Sequence, residues 1–448
     1  MQNIATFIAL NRFGLGVGPE EARAVDRDPR GWIQDQIQPR QEISPMLAQF
    51  PGASEINKEI HKARISGSQE LRKTVRRKYR EVFVTELVAR ARHHVQTPSP
   101  FAERMVLFWS NHFTVSRTKG IVGPTLPAFE REAIRPHIFG RFEDMLSAVA
   151  SHPSMLAYLD NNISVGPNSL AGRRIGRGLN ENLAREILEL HTLGVNGGYG
   201  QDDVREFARA LTGWTHAGTV PKRQKTIKSG AFEFRQAMHE PGPKTVLGKT
   251  YREDGMNEAK AILKDLAGHS ATSRHIATKI ARHFIADAPP KSAIDRLAKV
   301  FADERGDLAA VSKALVNLEE VWADPAPKVK TPYELVISVL RALGSAEPDR
   351  AMLHLPLRTM GHEPFNAPSP QGWPDMADHW LAPEALLRRI EWVRAISGRL
   401  AIDQPPSELM DRLIGPIASD NTRFMVDRAP SGDAAVALIL ASSEFQRR

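Results

Sequence analysis

Hydrophobic residues recur at helical spacing along almost the whole chain. Between residues 69 and 96, for example, Leu71, Val75, Tyr79 and Phe83 follow one another at intervals of four residues, which places them on one face of a helix. Stretches rich in proline and glycine interrupt this periodicity, as expected for turns. The pattern predicts an all-α fold, a large multi-helix, bundle-like architecture whose apolar faces turn inward.

The predicted helices fill the segments between these interruptions. Their ranges are 19–25, 30–37, 53–65, 69–96, 101–111, 142–150, 181–193, 201–212, 254–266, 271–284, 291–302, 308–316, 331–343, 383–396, 408–413 and 432–441.

One region, 217–251, departs from helical spacing. Residues 231–235 alternate apolar and polar, and residues 244–248 follow a Pro-Gly-Pro turn, which predicts a small β-hairpin inserted between helices. The predicted organisation is therefore an N-terminal helical half (1–216) that carries the main motif, a hairpin or loop insertion (217–252), and a C-terminal helical half (253–448). We expect the two halves to pack as one unit.

The densest group of chemically active side chains lies on the predicted helix 181–193. Arg185, Glu186 and Glu189 share its polar face, opposite a broad apolar face. In one interpretation, Glu181–Arg185 and Arg185–Glu189 are ion pairs of the kind that stabilise exposed helices by a few tenths of a kcal/mol. In the other, Glu186 and Glu189 bind a cation or act as acid and base, with ligands added from other elements.

Four further features around this helix are candidates for a site. His191 falls on the apolar face, so the wheel separates it from the glutamates and predicts a core histidine. His112 ends a strongly apolar helix in the run FWSNHF and belongs either to a structural network or to a site. His239 lies in a loop beside proline and glycine, where site residues are common. The proline-rich segment 361–374 is long for a structureless loop and is expected to be functional or packed.

Composition narrows the chemistry. The 448-residue sequence has ordinary globular proportions of hydrophobic (42%) and charged (25%) residues and holds no cysteine. Disulfides, thiolate metal sites, iron–sulfur clusters and cysteine nucleophiles are therefore excluded. A divalent metal would need His, Asp, Glu, Asn or backbone ligands, which suit zinc, iron, manganese, calcium or magnesium. The sequence has no membrane-spanning stretch and no secretory signal, so a cytoplasmic location is expected.

The formal net charge is +8, and part of the excess is concentrated on the predicted helix 69–96. A dense basic run in its first half consists of Arg72, Lys73, Arg76, Arg77, Lys78 and Arg80. They form either a solvated helix face or a surface for an acidic protein, an anionic lipid surface or a nucleic acid. No zinc-finger spacing, aromatic RNA-binding motif or phosphate-binding glycine loop supports nucleic acid.

Several motifs together resemble a large bacterial family, the domain of unknown function 1800. The segments that carry the resemblance are 11–14 (NRFG), 104–113 (RMVLFWSNHF), 155–161 (MLAYLDN), 180–194 (NENLAREILELHTLG), 210–214 (ALTGW), His239 with 242–245 (GPKT), and 372–374 (GWP). Their number and order extend the likeness over almost the whole chain.

The resemblance implies a helix-rich protein whose matching motifs contain Arg185, Glu186, Glu189, His112 and His239 as polar members, so it favours a site made of these residues. It also implies a neighbouring gene product that resembles sulfatases and alkaline phosphatases. Family members often carry an export signal, which this sequence lacks, so periplasmic export would need a signal-bearing partner.

Three functional hypotheses follow from the sequence. The first is a metal-dependent enzyme whose cation is held by Glu186 and Glu189. His239 or His112 completes the metal ligands or acts as general acid–base, with His239 the expected third ligand, and Arg185 holds one of the carboxylates. The second is a non-catalytic binding or assembly partner of the sulfatase- or phosphatase-like neighbour. The third is a protein that binds an acidic surface through the basic helix 69–96.

Overall fold

The computed structural model describes residues 3–19, 21–39, 42–175, 178–216, 230–345, 347–399 and 404–448. Within these ranges no helix combines the length and the apolar character needed to cross a bilayer. The fold is all-α with a small β insertion, as the periodicity predicts.

Helices dominate the part of the chain before the β insertion. They are α1 (Ile4–Ile8), α2 (Glu21–Val25), α3 (Pro29–Gln34), α4 (Pro45–Ala48), α5 (Ala53–Ile65), α6 (Gln69–Gln96), α7 (Pro100–His112), α8 (Leu126–Phe129), α9 (Phe142–Ser151), α10 (Pro153–Tyr158), α11 (Gly172–Ile175), α12 (Asn182–Glu186) and α13 (Gln201–Leu211). Wider π-helical turns occur at Ala9–Phe13, Glu130–Ile134 and Ile187–Thr192, and 3-10 turns at Gly123–Thr125, Arg135–His137, Asn161–Ile163 and Gln236–Met238.

A second series of helices follows the insertion. They are α14 (Met256–Ala267), α15 (Ser270–Phe284), α16 (Lys291–Asp303), α17 (Leu308–Val316), α18 (Glu320–Ala323), α19 (Pro332–Ala342), α20 (Arg350–Thr359), α21 (Ala377–Trp380), α22 (Pro383–Ser397), α23 (Pro406–Leu413), α24 (Asp420–Asp427) and α25 (Gly432–Ala441). The periodicity did not predict α20, which contains Pro356 in its interior, a residue that normally ends a helix.

The β insertion consists of two separate two-stranded antiparallel sheets. β1 (Trp214–His216) pairs with β2 (Phe232–Phe234), and β3 (Lys244–Val246) pairs with β4 (Lys249–Tyr251). The positive φ angles of Leu247 and Gly248 make the tight turn between β3 and β4. The strand expected at 231–235 therefore pairs with residues that precede the predicted insertion. Residues 217–229 of that insertion lie outside the described ranges, and the predicted division into two halves and an insertion stays a prediction.

Aromatic rings from distant parts of the sequence join the helices around one core. Phe13 lies 5.7 Å from Phe101, 5.6 Å from Phe284 and 5.5 Å from Trp322, measured between ring centroids. All four positions belong to helices or turns that the sequence places more than 300 residues apart at the extremes. Ring pairs at these separations contribute beyond simple area burial, so this contact holds α7 and α15 in fixed positions.

A buried ion pair fixes the start of α19 against α7. Thr331 and Glu334 form a capping box at the first turn of α19: the Thr331 N–H donates to Glu334 Oε2 at 2.7 Å, and the Glu334 N–H donates to Thr331 Oγ1 at 3.3 Å. The Glu334 carboxylate also pairs with Arg104 of α7 and with Arg448. Arg104 donates in addition to the Gly14 carbonyl at 2.6 Å. These charge-assisted bonds hold α7 and α19 in place.

Candidate functional site

A cavity of about 460 Å³ lies where α7, α15, the start of α19 and the proline-rich segment meet. Its volume is in the range of small-molecule sites in proteins. Aromatic and apolar side chains form much of the wall, among them Phe108, Tyr333, Phe365 and Trp373, and the polar lining includes His112, Lys279, Arg282, His283, His362 and Asp375.

Asn111 attaches the proline-rich segment to the end of α7. Its side-chain amide donates to the Trp373 carbonyl at 2.9 Å and accepts from the Trp373 N–H at 2.7 Å. The chain can approach this closely because Gly372 has a φ of +86° and a Cβ there would lie 2.5 Å from the Asn111 carbonyl oxygen. The expectation that segment 361–374 is packed is therefore confirmed, and the segment forms one wall of the cavity.

His112 presents a neutral imidazole to the cavity. Its Nε2 lies 3.1 Å from the carbonyl oxygen of His191, and because a carbonyl only accepts, the ring proton sits on Nε2. The buried Nδ1 then carries a lone pair and has no hydrogen-bond partner among the residues described. Burial, with a contribution from the charge of Lys279, holds the pKa of His112 well below its usual value of 6.5. The imidazole therefore stays neutral, and its Nδ1 is free to accept a proton.

His283 is oriented in the same sense by a carboxylate. Its Nδ1 lies 3.3 Å from Asp375 Oδ2, which fixes the tautomer with the proton on Nδ1. Burial raises the pKa of Asp375, but His283, Lys328 and Arg448 outweigh it and lower the value to about 2. The carboxylate therefore stays ionised, and the buried Nε2 of His283 has no partner within the described ranges. A carboxylate–histidine pair of this kind is a common general-base arrangement.

Lys279 lines the same cavity, on α15 and one helical turn before His283. Burial lowers the pKa of Lys279 to about 8; Asp375 opposes this change and Arg282 adds to it. In the described part of the chain no side chain or carbonyl forms a hydrogen bond or ion pair with its Nζ. The side chain is thus a half-buried amine whose charge is uncompensated by direct contact.

The π turn at the end of the main motif, Ile187–Thr192, accepts hydrogen bonds from two histidines. His112 donates to the His191 carbonyl, and His275 Nε2 donates to the Leu190 carbonyl at 3.0 Å. The π turn is followed by Gly194, whose φ of +82° gives a left-handed helix end. A Cβ on Gly194 would lie 2.9 Å from His275 Nδ1. The motif therefore contributes backbone carbonyls to the support of two histidines, a role that a wheel of side chains does not reveal.

His191 is a buried core histidine, as the wheel predicts. It is 1% exposed, and its ring lies 6.1 Å from that of His112 and 5.1 Å from that of Phe113. Burial lowers its pKa to about 3, with smaller contributions from Lys279 and His275.

The predicted glutamates lie together on the partly exposed side of the motif. Burial and the neighbouring charge of Glu189 raise the pKa of Glu186, and Glu189 bonds to the Tyr199 hydroxyl. Arg185 pairs with Glu181 at 3.0 Å, which confirms the first expected ion pair. The second expected pair, Arg185–Glu189, is wrong, because Arg185 turns instead to Gln201 at 3.0 Å.

His239 contacts residues that do not line the cavity. Its Nδ1 lies 2.9 Å from the Thr212 carbonyl and its Nε2 lies 3.4 Å from both Glu258 Oε1 and Lys244 Nζ. Lys244 in turn pairs with Glu258 at 2.7 Å, and both side chains are fully buried. These contacts keep His239 bonded within the β insertion and α14.

Metal ligation finds little geometric support in the described residues. Among them no group of three or more His, Asp or Glu side chains is placed to hold a metal ion. Glu186 and Glu189 lie together, whereas His112 and His239 make their contacts in other surroundings. The cation site predicted from Glu186, Glu189 and His239 stays a prediction.

Three residues of the cavity wall escaped the sequence analysis: Lys279, His283 and Asp375. His275, Lys279 and His283 repeat at intervals of four on α15, which places them on one helix face. That spacing was a usable signal, but an exposed basic face gives the same pattern. Asp375 directly follows the motif Gly372-Trp373-Pro374, so its position was a second, weaker signal.

Comparisons with known proteins identify the family and leave its activity open. No curated protein and no solved structure matches the chain. One family model, described as a protein of unknown function (DUF1800), matches residues 8–447. The match covers the cavity wall and each of the motifs that carry the resemblance, and the chain belongs to this family.

Proposed function

We propose that the chain is an enzyme that binds a small organic anion in the cavity and carries out acid–base chemistry on it. The observation that carries the proposal is the convergence on one cavity of two buried imidazole nitrogens without partners and one lysine without a partner, within the described ranges. Buried polar groups are normally paired, and unpaired ones in a cavity are typical of sites completed by a ligand.

Charge supports an anionic ligand. Asp375 and Glu334 line the cavity, but Lys328 pairs with the first, and Arg104 and Arg448 pair with the second. Their charges are thus already balanced by these partners. Among the described residues Lys279 has no counterion in contact, and Arg282 donates only to a backbone carbonyl, that of Asp287, at 3.3 Å. The net excess at the cavity is positive, which favours a carboxylate or phosphate.

The walls indicate the rest of the ligand. Phe108, Tyr333, Phe365 and Trp373 offer apolar and aromatic surface on several sides, and such surface binds flat or aliphatic groups. His112 and His283 both line the cavity and each has a buried, unprotonated ring nitrogen without a partner in the described ranges, so we assign them as the bases that act on the bound molecule. An amphipathic small acid fits these walls better than a sugar or a polymer.

Ligand binding tests the proposal directly. We expect at least one member of a panel of small aromatic and aliphatic carboxylates and phosphates to raise the unfolding temperature, since a ligand at 100 times its Kd stabilises by about 2.7 kcal/mol. Lys279→Met should weaken that binding about tenfold or more, whereas Lys260→Met, at an exposed site on α14, should leave it unchanged. No stabilisation by any member, or equal binding by both variants, would contradict the proposal.

Turnover separates an enzyme from a binding protein. Once a ligand is found, its conversion is followed by NMR in the wild type and in His283→Gln. We expect the variant to bind within a few-fold of wild type and to lose conversion, because Gln cannot accept a proton. Unchanged conversion in His283→Gln would assign the base to another group.

An acidic protein partner is a second candidate function. On α6, Arg72, Lys73, Arg76, Arg77 and Arg80 are exposed, and in the described ranges none of them is ion-paired, whereas Lys78 pairs with Glu59 at 2.6 Å. Such a face favours an acidic surface, of which the neighbouring sulfatase- or phosphatase-like protein is the example that the resemblance suggests.

Charge reversal tests the partner proposal. Arg76, Arg77 and Arg80 changed together to Glu should abolish low-salt co-purification with that protein, while reversal of the exposed Arg358, Arg394 and Arg399 should not. Equal loss in both triple variants would point to net charge alone.

The cation hypothesis also has a direct test. Two neighbouring carboxylates, Glu186 and Glu189, support it. Metal analysis of the purified protein, with and without Glu186→Ala plus Glu189→Ala, should show metal lost from the double variant. Negligible and equal metal in both proteins would remove the hypothesis.

A further inference from the structure

We propose that Lys279 is a nucleophilic amine that forms a Schiff base with a carbonyl group of the ligand, so that the substrate class is a small keto or aldehyde acid. The inference deepens the proposed function and rests on it, because it assigns chemistry to the same cavity. It stands on three structural observations: the position of Lys279 in the cavity lining, the lack of a partner for its Nζ in the described ranges, and the two histidines of the same lining that each have an unpaired ring nitrogen there.

The surroundings of Lys279 make its free amine more available than that of an ordinary exposed lysine, although the ammonium ion still predominates at neutral pH. The half-buried side chain lines the cavity, as do Phe108, His112 and Trp373, and Arg282 lies one helical turn away on α15. Desolvation and a neighbouring cation both disfavour a second positive charge, which is the known way to activate a lysine toward carbonyl compounds. The pKa of about 8 agrees with this arrangement.

Two other lysines of this part of the molecule, Lys328 and Lys330, do not line the cavity. Lys328 contacts Asp287 and donates to the Asp375 carbonyl at 2.6 Å. Lys330 lies outside the cavity lining, with its Nζ 4.0 Å from the centre of the Phe445 ring. Lys279 therefore combines access to the cavity with an unengaged Nζ in the described part of the chain.

The step balances without any added oxidant or reductant. The Lys279 nitrogen lone pair forms a C–N bond to the carbonyl carbon while the C=O π electrons move to oxygen. A proton passes from nitrogen to that oxygen, and the resulting carbinolamine loses the hydroxyl group as water when a second proton reaches it. The product is an imine, C=N, which becomes an iminium ion on protonation.

His112 and His283 supply the proton movements. The unprotonated His112 Nδ1 and His283 Nε2 each accept a proton from the attacking nitrogen and return it to the departing hydroxyl. Once the iminium has formed, it withdraws electrons from the adjacent carbon, so the remaining base can remove a proton there. Arg282 stays available for the carboxylate of the substrate. The two histidines and Arg282 thus each have a role in the proposed reaction.

Reductive trapping tests the inference on the full chain. The protein is incubated with pyruvate, glyoxylate or propanal in the presence of cyanoborohydride, and adducts are mapped by peptide mass spectrometry. At pH 8 a lysine of pKa 8 holds about 100-fold more free amine than an ordinary exposed lysine. We expect Lys279 to be modified first, at least about tenfold faster than Lys260, and its labelling rate to rise with a midpoint near pH 8.

Two variants distinguish this inference from the proposed function. Lys279→Arg keeps the positive charge, so it should retain carboxylate binding and lose the adduct, whereas Lys260→Arg should change neither. Adducts spread over exposed lysines, with Lys279 unmodified by all three probes, would overturn the Schiff base even if carboxylates still bind. If the wild type neither binds carboxylates nor forms an adduct, the proposed function is rejected as well.

Discussion

At the scale of single residues, burial decides what an ion pair contributes. Lys244 and Lys249 lie five residues apart in the same hairpin, and each pairs with a carboxylate of α14. The Lys244–Glu258 pair is fully buried at 2.7 Å, whereas the side chains of the Lys249–Asp265 pair, at 2.5 Å, are 61% and 40% exposed. Water screens the second pair but not the first.

This contrast gives the first prediction. Lys244→Met should lower the free energy of unfolding by about 3–5 kcal/mol, because it leaves the carboxylate of Glu258 buried beside His239 without its cation. Lys249→Met should cost less than about 1 kcal/mol. Urea unfolding of both variants measures the difference, and similar losses would show that burial does not control these two pairs.

Residues whose environment follows from the local sequence pattern were predicted correctly. His191 is in the core because its helix face is apolar, and Glu181 pairs with Arg185 because they are one turn apart. His112 was recognised as a candidate because it ends an apolar helix. Lys279 was missed because its lack of a partner depends on what the distant segment 362–376 places beside it.

At the scale of elements, the main motif departs from the regular helix that its periodicity predicts. Residues Asn182–Glu186 are α-helical and Ile187–Thr192 form a wider π turn, in which the Leu193 N–H donates to the Leu188 carbonyl. Wider turns of this type often occur at functional sites. Here the turn is followed by Gly194, and the carbonyls of Leu190 and His191 accept from two histidines.

The close approach of Gly194 to His275 gives the second prediction. Gly194→Ala should destabilise the protein by about 2–4 kcal/mol, because the alanine meets both a φ of +82° and the His275 ring at 2.9 Å. Gly198→Ala is the matched control, since its φ is +85° but a Cβ there has open space.

The control should cost only about 1 kcal/mol, and thermal unfolding of the pair compares them. If the two variants lose the same stability, then backbone conformation alone matters and the His275 ring yields easily. A greater loss in Gly194→Ala that disappears in the His275→Ala background would establish the steric cause.

At the scale of the whole molecule, buried neutral histidines couple folding to pH. Burial lowers the pKa of His191 to about 3 and that of His94 to about 4, whereas histidine in an unfolded chain titrates near 6.5. Between these values the unfolded chain holds more protons, so stability falls as pH drops. Glu86 acts in the opposite direction, because burial raises its pKa to about 7.

This balance gives the third prediction. The stabilisation that each buried neutral histidine contributes falls by about 2 kcal/mol between pH 7 and pH 5. Glu86 stabilises by about the same amount over that interval and so offsets the loss from one histidine. We therefore expect a net loss of about 2 kcal/mol or more over that interval in urea unfolding. The decrease should be about 2 kcal/mol smaller in His191→Gln, which does not titrate; a pH-independent stability in the wild type would contradict the prediction.

The sequence by itself determined the helical class, the position of the β insertion and the family. These follow from periodicity and from motifs, both of which are local: a helix face repeats every three or four residues, and a run such as 180–194 is read without knowing its neighbours. The apolar faces also placed His191 in the core.

Only the tertiary structure decided which polar groups meet. The cavity joins residues from α7, α15, α19 and the segment 362–376, whose sequence separation carries no distance information. Hydrogen bonds across these elements fixed the tautomers of His112 and His283 and left their other nitrogens without partners in the described ranges. Proton position and desolvation depend on three-dimensional neighbours. For that physical reason the site that we propose from the structure is the cavity, whereas the sequence pointed to the glutamates of the motif.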